Sequence, residues 1–512
     1  MRVPSFAVFG LLLAITSRPS TLHAQAGVGR DTGRSMTITQ RGIAATSHIL
    51  ASQTATGVLA RGGSAVDAAI AANAVLGLVE PTMDGIGGDL FVLYWDAKAK
   101  EYVGLNGAGL SPKALTPAHL AAKGVKTMPT VGIDSVTVPG AVDGWAKMHA
   151  RYGKLRWKDL FDDAIYYAEQ GFPVTEIIRE GWALPVNVAK LKTNPESVRV
   201  YLPNGLPPAI SQLFRNPDLG RAYRLIAAGG RDAFYKGEIA TAILATSRKL
   251  GGTMTAEDLA ATSAEWVEPI STDYRGWRVL ELPPSTQGIA ALEMLNIMAL
   301  KPATPLGPNS PAEVHKRIES MKLAYADLRK YTADPRTYTP PVQTLLSPEW
   351  AKQRAALIDP AAANCGVVAG KIKQGDTTYL TVVDRDGNMA SWIESVAHVF
   401  GSGVTAKAWG SSCTTGAGVL PSTRPTPTSL LEASARSTPS FRPSWRRARS
   451  GSASGLWVAR TSPWPTRNLS PTSWTTGWTP RPPSKPRASP SWMRQAATSR
   501  SSPASAWRPS SA

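Results

Sequence analysis

Thr377 is the residue in this sequence whose type and position best suit a chemical role. An alternating, strand-like run follows it to Asp384, and a second such run covers residues 389–396. Asp386-Gly387 lies between the two runs, which is a strong signal for a β-hairpin. A threonine hydroxyl becomes a good nucleophile when a base lies beside it, and at a chain terminus its own α-amine can take the proton.

The α-amine suits this role near neutral pH. Its reference pKa is roughly 7.7–8.0, so a substantial fraction is uncharged at pH 7–8. The mechanism requires that the chain be cut directly before Thr377. Without further context, however, a Thr-Thr pair is more simply explained as the opening of an ordinary hairpin.

The wider context resembles the maturation site of the γ-glutamyltransferases (γ-glutamyltranspeptidases), which are N-terminal-nucleophile (Ntn) hydrolases. The similarity rests on residues 376–384, Gly387-Asn388 and the Phe-Gly-Ser-Gly run at 400–403. It implies a proenzyme that cleaves itself between Asp376 and Thr377 into a large and a small subunit that stay together. Thr377 would be both the processing residue and the nucleophile, and Ser395 would hydrogen-bond and support it.

The resemblance covers roughly residues 40–407 and implies an α+β fold. This fold is an αββα sandwich, in which two stacked antiparallel sheets lie between helical layers. Further similar segments are 84–89 (Asp-Gly-Ile-Gly-Gly-Asp), 135–145, 160–171, 283–288 and 322–335. Taken alone, each has a simpler interpretation: we expect Ser285 or Thr286 to cap a helix, and Asp327 to face solvent or cap a turn.

Local patterns predict the elements that position this hairpin. Apolar spacing predicts a helix over residues 46–61, and a second over 64–78 with Ser64 as N-cap and Asp67 at its third position. A buried strand is expected at residues 90–95, because the apolar run is short and aromatic. The glycines before it do not fit a dinucleotide fingerprint, since that motif opens a helix rather than a strand.

The N-terminus has the pattern of a secretory signal peptide over residues 1–26. Arg2 is followed by a short apolar run and by Ala24-Gln25-Ala26, a small-x-small cleavage site. No segment supplies some eighteen uninterrupted apolar residues, so no transmembrane span is expected. We expect a secreted or periplasmic protein whose large-subunit region covers residues 27–376 and whose small-subunit region begins with residues 377–407.

The formal net charge of +19 is concentrated in the C-terminal fifth of the chain. Residues 408–512 contain thirteen Arg and one Lys against one acid, Glu432, and eight of the sixteen Trp. Natural disordered segments are poor in Trp and carry more acids. We therefore hypothesise that this Ser/Pro/Arg/Trp-rich tail is a frame-shifted translation with no ordered fold. The rival interpretation is a genuine basic tail that binds nucleic acid or anionic lipid.

Cofactor and metal chemistry have little support in the sequence. The six histidines are scattered, and no cofactor is expected. Cys365 and Cys413 could pair in an oxidising compartment, but two cysteines make no disulfide framework.

The sequence departs from the family at several substrate-facing positions. The segment 105–112 lacks the arginine that would grip the α-carboxylate of a glutamyl group, and Ala397 stands where an asparagine often contacts the amino group. Tyr379 occupies a position that is often histidine. Family members also carry, beyond residue 408, a loop and a Gly-Gly turn that supply oxyanion donors, and these do not follow here.

The sequence therefore predicts an autoprocessing γ-glutamyltransferase, or glutathione hydrolase, that acts on a small molecule and not on nucleic acid. Acyl groups would pass from γ-glutamyl amides such as glutathione to water, amino acids or peptides. One alternative is a cephalosporin-type (glutaryl) acylase of the same family. The other is a catalytically silent, truncated or frame-shifted homologue.

The signal peptide gives a first prediction. We expect export to remove residues 1–26 and leave Gly27 as the new N-terminus, because the small side chains of Ala24 and Ala26 fit a signal-peptidase site. The intact mass of the exported protein measures this. A retained leader would contradict the prediction.

Overall fold

The computed structural model describes residues 37–301, 307–332, 335–336, 338–367 and 378–414, and the backbone of residues 457–459. The strands of this part of the chain are β1 (Gly42–Ala45), β2 (Asp89–Asp96), β3 (Glu101–Gly107), β4 (Phe172–Pro173), β5 (Leu213–Phe214), β6 (Glu265–Val267), β7 (Ile270–Tyr274), β8 (Trp277–Glu281), β9 (Thr378–Asp384), β10 (Met389–Ser395) and β11 (Trp457–Ala459).

Fifteen α-helices surround these strands in the described residues. They are α1 (Ile49–Ala60), α2 (Ala65–Val79), α3 (Pro117–Ala122), α4 (Ala141–Tyr152), α5 (Asp162–Gln170), α6 (Glu176–Ala183), α7 (Pro185–Leu191), α8 (Pro195–Tyr201), α9 (Pro217–Tyr235), α10 (Glu238–Lys249), α11 (Ala256–Ala261), α12 (Gly288–Ala299), α13 (Pro311–Tyr331), α14 (Val342–Leu345) and α15 (Pro348–Ala355). Short 3₁₀ helices cover Ile133–Ser135, Trp157–Leu160 and Pro203–Gly205.

The strands form two main sheets, each built from antiparallel pairs. The larger sheet has the order β1-β9-β10-β2-β3-β6, and the smaller has the order β11-β8-β7. The predicted hairpin is β9 and β10, at the centre of the larger sheet. Its first described residue is Thr378, one position after the predicted start.

Helix α2 is buried along its whole length and packs on one face of the larger sheet, against β9 and β10. Its beginning is the predicted one. Ser64 Oγ accepts from Asp67 N at 3.1 Å, and Asp67 Oδ2 accepts from Ser64 N at 2.9 Å, which completes a capping box. We call the sheet face that packs on α2 the helix face.

The opposite face of the larger sheet packs against the smaller sheet, and we call it the inter-sheet face. Phe91 and Leu93 of β2 form a buried cluster there with Leu280 and Leu282, from β8 and the residue after it. Helix α12 contacts β7 and β8, and α13 packs on α12. The layers are therefore helix, sheet, sheet, helix, which is the predicted α+β sandwich.

Two local expectations are wrong. The N-cap of α12 is Gln287 rather than Ser285 or Thr286, because the Thr286 hydroxyl donates to the carbonyls of Leu282 and Pro283. Asp327 is 3% exposed rather than solvent-facing, since the Arg354 guanidinium donates to its carboxylate at 2.6 Å.

The packed structure continues past residue 408, where we expected the tail to begin. Trp409 is fully buried, and Thr414 N donates to Gly87 O at 2.9 Å. Residues 408–414 thus belong to the fold, and the tail hypothesis applies only beyond residue 414. Further along the chain, the backbone of β11 at residues 457–459 pairs with β8.

Cys365 and Cys413 are separate free thiols, the first exposed and the second buried. Among the described helices, none is long and apolar enough to cross a membrane.

One buried side chain, Asn73 of α2, joins several elements of the core. Its Oδ1 accepts from the indoles of Trp145 at 2.9 Å and Trp392 at 2.8 Å, and its Nδ2 donates to Asp84 Oδ2 at 2.9 Å. Helices α2 and α4, strand β10 and the segment before β2 therefore meet at one carboxamide.

Replacing this carboxamide gives a stability prediction. Asn73→Ala leaves two buried indole N–H groups without an acceptor, at about 1–3 kcal/mol each. We expect the urea midpoint of unfolding to fall accordingly. The exposed Asn309→Ala is the matched control and should leave the midpoint unchanged. Equal midpoints for the two variants would show that Asn73 is not a structural junction.

Candidate active site

The β9–β10 hairpin presents different chemistry on its two faces. Thr378, Leu380 and Val382 lie on the helix face and are buried. Tyr379 and Thr381 lie on the inter-sheet face, where the Tyr379 hydroxyl accepts from Thr381 Oγ1 at 2.6 Å and is 3.0 Å from Ser391 Oγ. Alternation along the strand thus separates an apolar face from a hydroxyl-rich one.

The two residues of the predicted cleavage site, Asp376 and Thr377, lie outside the described residues. The residue that follows them in sequence, Thr378, is the first residue of β9. It pairs in register with Glu394 of β10. The predicted support residue, Ser395, is therefore one position beyond the partner of Thr378.

Ser395 ends β10 and is fully buried. Its Oγ accepts from Ala397 N at 2.8 Å, which fixes the tight turn that follows the strand. Ala397 has a φ of +69°, a left-handed conformation that alanine adopts at a cost. Asparagine or glycine would fit this backbone conformation better than alanine does. Ala397 has neither the side-chain amide of asparagine nor the flexibility of glycine.

The glycine-rich segment before β2 packs closely on the end of β10. A Cβ on Gly88 would lie 2.5 Å from Ser395 O, and a Cβ on Gly87 would overlap with Ser412 O. The glycines are therefore needed so that backbone can approach backbone. They have a structural role beside Ser395.

The loop after β3 contains the segment where the family would supply an arginine. Gly109 N donates to Asp89 Oδ1 at 2.8 Å, and Ala108 N donates to Asn106 Oδ1 at 3.0 Å. Asp89 is fully buried and is the register partner of Ser395. Burial raises the pKa of Asp89 to about 7. A titrating carboxyl therefore connects this loop to the end of β10.

The Phe-Gly-Ser-Gly turn at residues 400–403 is fixed from outside the sheet. Lys190 Nζ donates to Val399 O at 2.7 Å and to Gly401 O at 3.3 Å. Phe400 is fully buried and packs against Trp182, with their ring centroids 5.6 Å apart. This turn is thus a rigid boundary of the candidate site.

A cluster of three carboxyl groups lies on the helix face beneath the start of β9. Glu80, Asp84 and Glu394 are each 2% exposed or less. Burial raises the pKa of all three, and the neighbouring Asp84 raises the pKa of Glu394 further. Both effects favour the neutral form of Glu394.

Sequence reasoning missed this carboxyl cluster. In the sequence, Asp84 belongs to the glycine motif and Glu80 is the residue at which α2 ends. Neither position points to the other. A glutamate at the apolar end of a buried helix could have indicated such a cluster, because charged residues are rarely buried without partners. The partners themselves, however, come from distant parts of the sequence.

Metal binding has no counterpart in the side chains that the structure describes. In the described ranges, no group of three or more His, Cys, Asp or Glu residues is arranged to hold a metal ion.

The fold defines the class of protein: a layered α+β protein of the Ntn-hydrolase type, with the β9–β10 hairpin inside the larger sheet. A family model described as Gamma-glutamyltranspeptidase matches residues 51–428. The chain belongs to this family, as the resemblance implied.

Individual relatives carry the names of more than one activity. The chain is 36% identical to the glutathione hydrolase-like YwrD proenzyme of Bacillus subtilis over 70% of this chain and 67% of that protein. It is 32% identical to the glutathione hydrolase proenzyme of the same organism, over 79% and 73% respectively. A cephalosporin acylase from Bacillus halodurans has a similar structure, with a TM-score of 0.68, 36% identity, and coverage of 79% and 73%. The expected enzyme and its acylase alternative are thus both represented among the relatives.

The buried carboxyl of Asp89 gives a pH prediction. Its pKa is about 7 in the fold, against an ordinary value near 4. The folded state therefore binds this proton more tightly than the unfolded state does. The resulting stability is complete below pH 4 and is lost as the pH rises to about 7.

We expect Asp89→Asn to reduce the loss of unfolding free energy between pH 5 and pH 8, because the amide does not ionise and its oxygen can still accept from Gly109 N. Urea titrations at the two pH values measure this. Asp386→Asn is the control, since Lys154 lowers the pKa of that exposed carboxyl. An unchanged loss in Asp89→Asn would contradict the prediction.

Proposed function

We propose that the chain is a self-processing acyltransferase and hydrolase that uses Thr377 as an N-terminal nucleophile. The observation that carries the proposal is the position of the β9–β10 hairpin. Strand β9 begins one residue after Thr377, and Ser395 ends the neighbouring strand. Tyr379 and Thr381, two and four positions after Thr377 in the sequence, lie on the same face as Ser391.

Processing is proposed to begin when the Thr377 hydroxyl attacks the carbonyl carbon of Asp376. The peptide C–N bond breaks, the acyl group moves to the threonine oxygen, and the nitrogen takes the proton to become a free α-amine. Water then hydrolyses the ester, which leaves a carboxylate on Asp376 and a free hydroxyl on Thr377. We propose that Ser395 orients this hydroxyl.

Turnover is proposed to use the same atoms. The α-amine of Thr377 takes the hydroxyl proton as the oxygen bonds to the substrate's amide carbonyl. The proton passes to the departing amine, and an acyl-enzyme remains. Water, an amino acid or a peptide then attacks the ester and releases the acyl group. We propose γ-glutamyl amides such as glutathione as donors, in keeping with the names of the hydrolase relatives.

The proposal includes two subunits, covering residues 27–376 and the part from residue 377 on, that remain associated after cleavage. Strand β9 lies between β1 and β10 in the sheet, so β1 of the first part pairs directly with β9 of the second. We also propose export to the periplasm or beyond, on the basis of the leader at residues 1–26.

A cephalosporin-type acylase is the second candidate, and the residues around the acyl site favour it. Ala397 offers only a methyl group, so it cannot bind the amino group that distinguishes glutamyl from glutaryl. The described segment from Leu105 to Pro112 has no arginine for a carboxylate. The chain's similarity to a cephalosporin acylase agrees with this candidate.

We further propose that the Ser/Pro/Arg/Trp-rich sequence beyond residue 428, where the family match ends, is read in the wrong frame, so that the activity proposed here belongs to the chain with its frame restored. Its composition supports this, because Trp and Arg are abundant and acids almost absent. The Gly-Gly turn that supplies oxyanion donors in the family does not follow in this tail, and loss of one such donor typically lowers the rate by about 10²–10³-fold. Tests of function therefore compare the chain as written with a version whose reading frame is restored.

The nucleophile gives a direct prediction. We expect Thr377→Ala to abolish both the cut before residue 377 and turnover, because it lacks the attacking oxygen. Thr377→Ser should retain part of each. Denaturing gels and intact mass measure the fragments, and release of a chromogenic anilide measures turnover. Two fragments from Thr377→Ala would remove Thr377 from the mechanism.

The substrate panel separates the two candidates. Turnover of a γ-glutamyl anilide above that of a glutaryl anilide supports the glutathione hydrolase, whereas the reverse supports the acylase. If neither is cleaved by the frame-restored chain while Thr377→Ala still prevents the cut, the substrate assignment is wrong and the processing assignment stands.

A further inference from the structure

Glu80 lies directly beneath the first residue of the nucleophile hairpin. Thr378 Oγ1 donates to Glu80 Oε2 at 3.1 Å, and both side chains are 2% exposed. The two residues are 298 positions apart in the sequence. Their contact therefore fixes the start of β9 to the end of α2, which belongs to the proposed large subunit.

Glu80 is itself held in place by its backbone. As the C-cap of α2, it donates from its N–H to Leu76 O at 2.8 Å. Its carbonyl accepts from Met83 N at 2.9 Å and from Asp84 N at 3.1 Å. Ser47 Oγ donates to the same Oε2 at 2.8 Å. The acceptor that Thr378 contacts is thus fixed from three directions.

The neighbouring carboxyl groups do not compete for the Thr378 hydroxyl. Glu394 lies opposite Thr378 in the register, but no hydrogen bond joins its carboxyl oxygens to the Thr378 hydroxyl. Asp84 accepts from Gly85 N at 2.6 Å and from Asn73 Nδ2 at 2.9 Å. In a dry environment such bonds are strong, and a lost partner is costly. Glu80 is therefore the group that determines where Thr378 lies.

We propose that Glu80 is a positioning residue for the nucleophile and acts through Thr378. This inference rests on the proposed function of Thr377. Cleavage would make residue 377 a chain terminus, and terminal residues of a strand fray unless side chains hold them. The hydrogen bond from Thr378 to Glu80 prevents fraying at the residue next to the proposed nucleophile. This bond lies on the helix face of the sheet.

The hydroxyl and carboxyl groups can each be removed or conservatively replaced. Thr378→Val and Glu80→Leu delete the bond, whereas Thr378→Ser and Glu80→Gln keep a donor and an acceptor. Thr381→Val is the matched control, because it makes the same substitution in the same strand on the other face. The double variant Thr378→Val with Glu80→Leu tests whether the two act as one unit.

Three quantities are measured on the full-length chain, as written and frame-restored. They are the rate at which the two fragments form, kcat and KM for the preferred anilide, and hydrogen exchange in the peptide 378–384. We expect the two deleting variants to slow fragment formation and lower kcat by about tenfold or more, since misplacement of a reacting group by about 1 Å can cost 10²-fold. KM should change little.

The conservative variants should recover most of the rate, and the double variant should be no slower than either deletion alone. Exchange at the start of β9 should be faster in Thr378→Val and Glu80→Leu than in Thr381→Val. If the bond between Thr378 and Glu80 had only a structural role, Thr378→Val, Glu80→Leu and Thr381→Val would lower the unfolding midpoint equally. They would not show this pattern of rates and exchange.

The outcomes distinguish this inference from the proposed function. Fragment formation and kcat in Thr378→Val equal to those in Thr381→Val would overturn the role of Glu80, while loss of the cut in Thr377→Ala would still support the function. A frame-restored parent that is never cut would overturn the proposed function. In that case hydrogen exchange alone tests whether Glu80 positions Thr378. Equal exchange in Thr378→Val and Thr381→Val would overturn this role, and faster exchange in Thr378→Val would support it.

Discussion

The position of the β9–β10 hairpin depends on one buried carboxamide, that of Asn73. Two indole N–H groups converge on its oxygen, one from α4 and one from β10, and its amide donates to Asp84. Because these bonds lie in a dry core, each is expensive to break without replacement. They fix the position of α2 against β10. The end of α2, and therefore Glu80, is placed beneath β9 as a consequence.

Strand alternation then places Thr378 and the buried acids of this region on one face and Tyr379 and Ser391 on the other. Glu394 and Thr378 lie on the helix face with Glu80, whereas Tyr379 and Ser391 lie on the inter-sheet face. A register slip of one residue would exchange the two sets. The packing of Leu380 and Val382 against α2 opposes such a slip, so the apolar core also determines which side chains face the second sheet.

The features that were predictable from sequence are those encoded by neighbouring residues. The capping box of α2 needs only Ser64 and Asp67, and the hairpin needs an alternating pattern and an Asp-Gly turn. The cap of α12 failed because the Thr286 hydroxyl bonds backward to Leu282 O, a choice that depends on the preceding chain direction.

Features made by distant residues were not predictable. The burial of Asp327 depends on Arg354, which α15 brings to it from 27 positions away. The carboxyl cluster depends on Glu80 and Glu394, whose segments meet only when α2 packs on the sheet. Composition and periodicity carry no information about such contacts. The family resemblance supplied the nucleophile, but it did not indicate what holds the adjacent strand.

The loop after β3 explains how the site can lack an arginine and keep its framework. A Cβ on Gly109 would overlap with Val138 O, so the backbone there lies in close contact with the next segment. Its N–H is held by Asp89, and Leu110 O accepts from Val138 N at 2.9 Å. None of these bonds uses the side chains of residues 108 or 110. The loop's hydrogen bonds are therefore independent of the side chains of these two residues, while Ala108 packs against the cluster between the sheets.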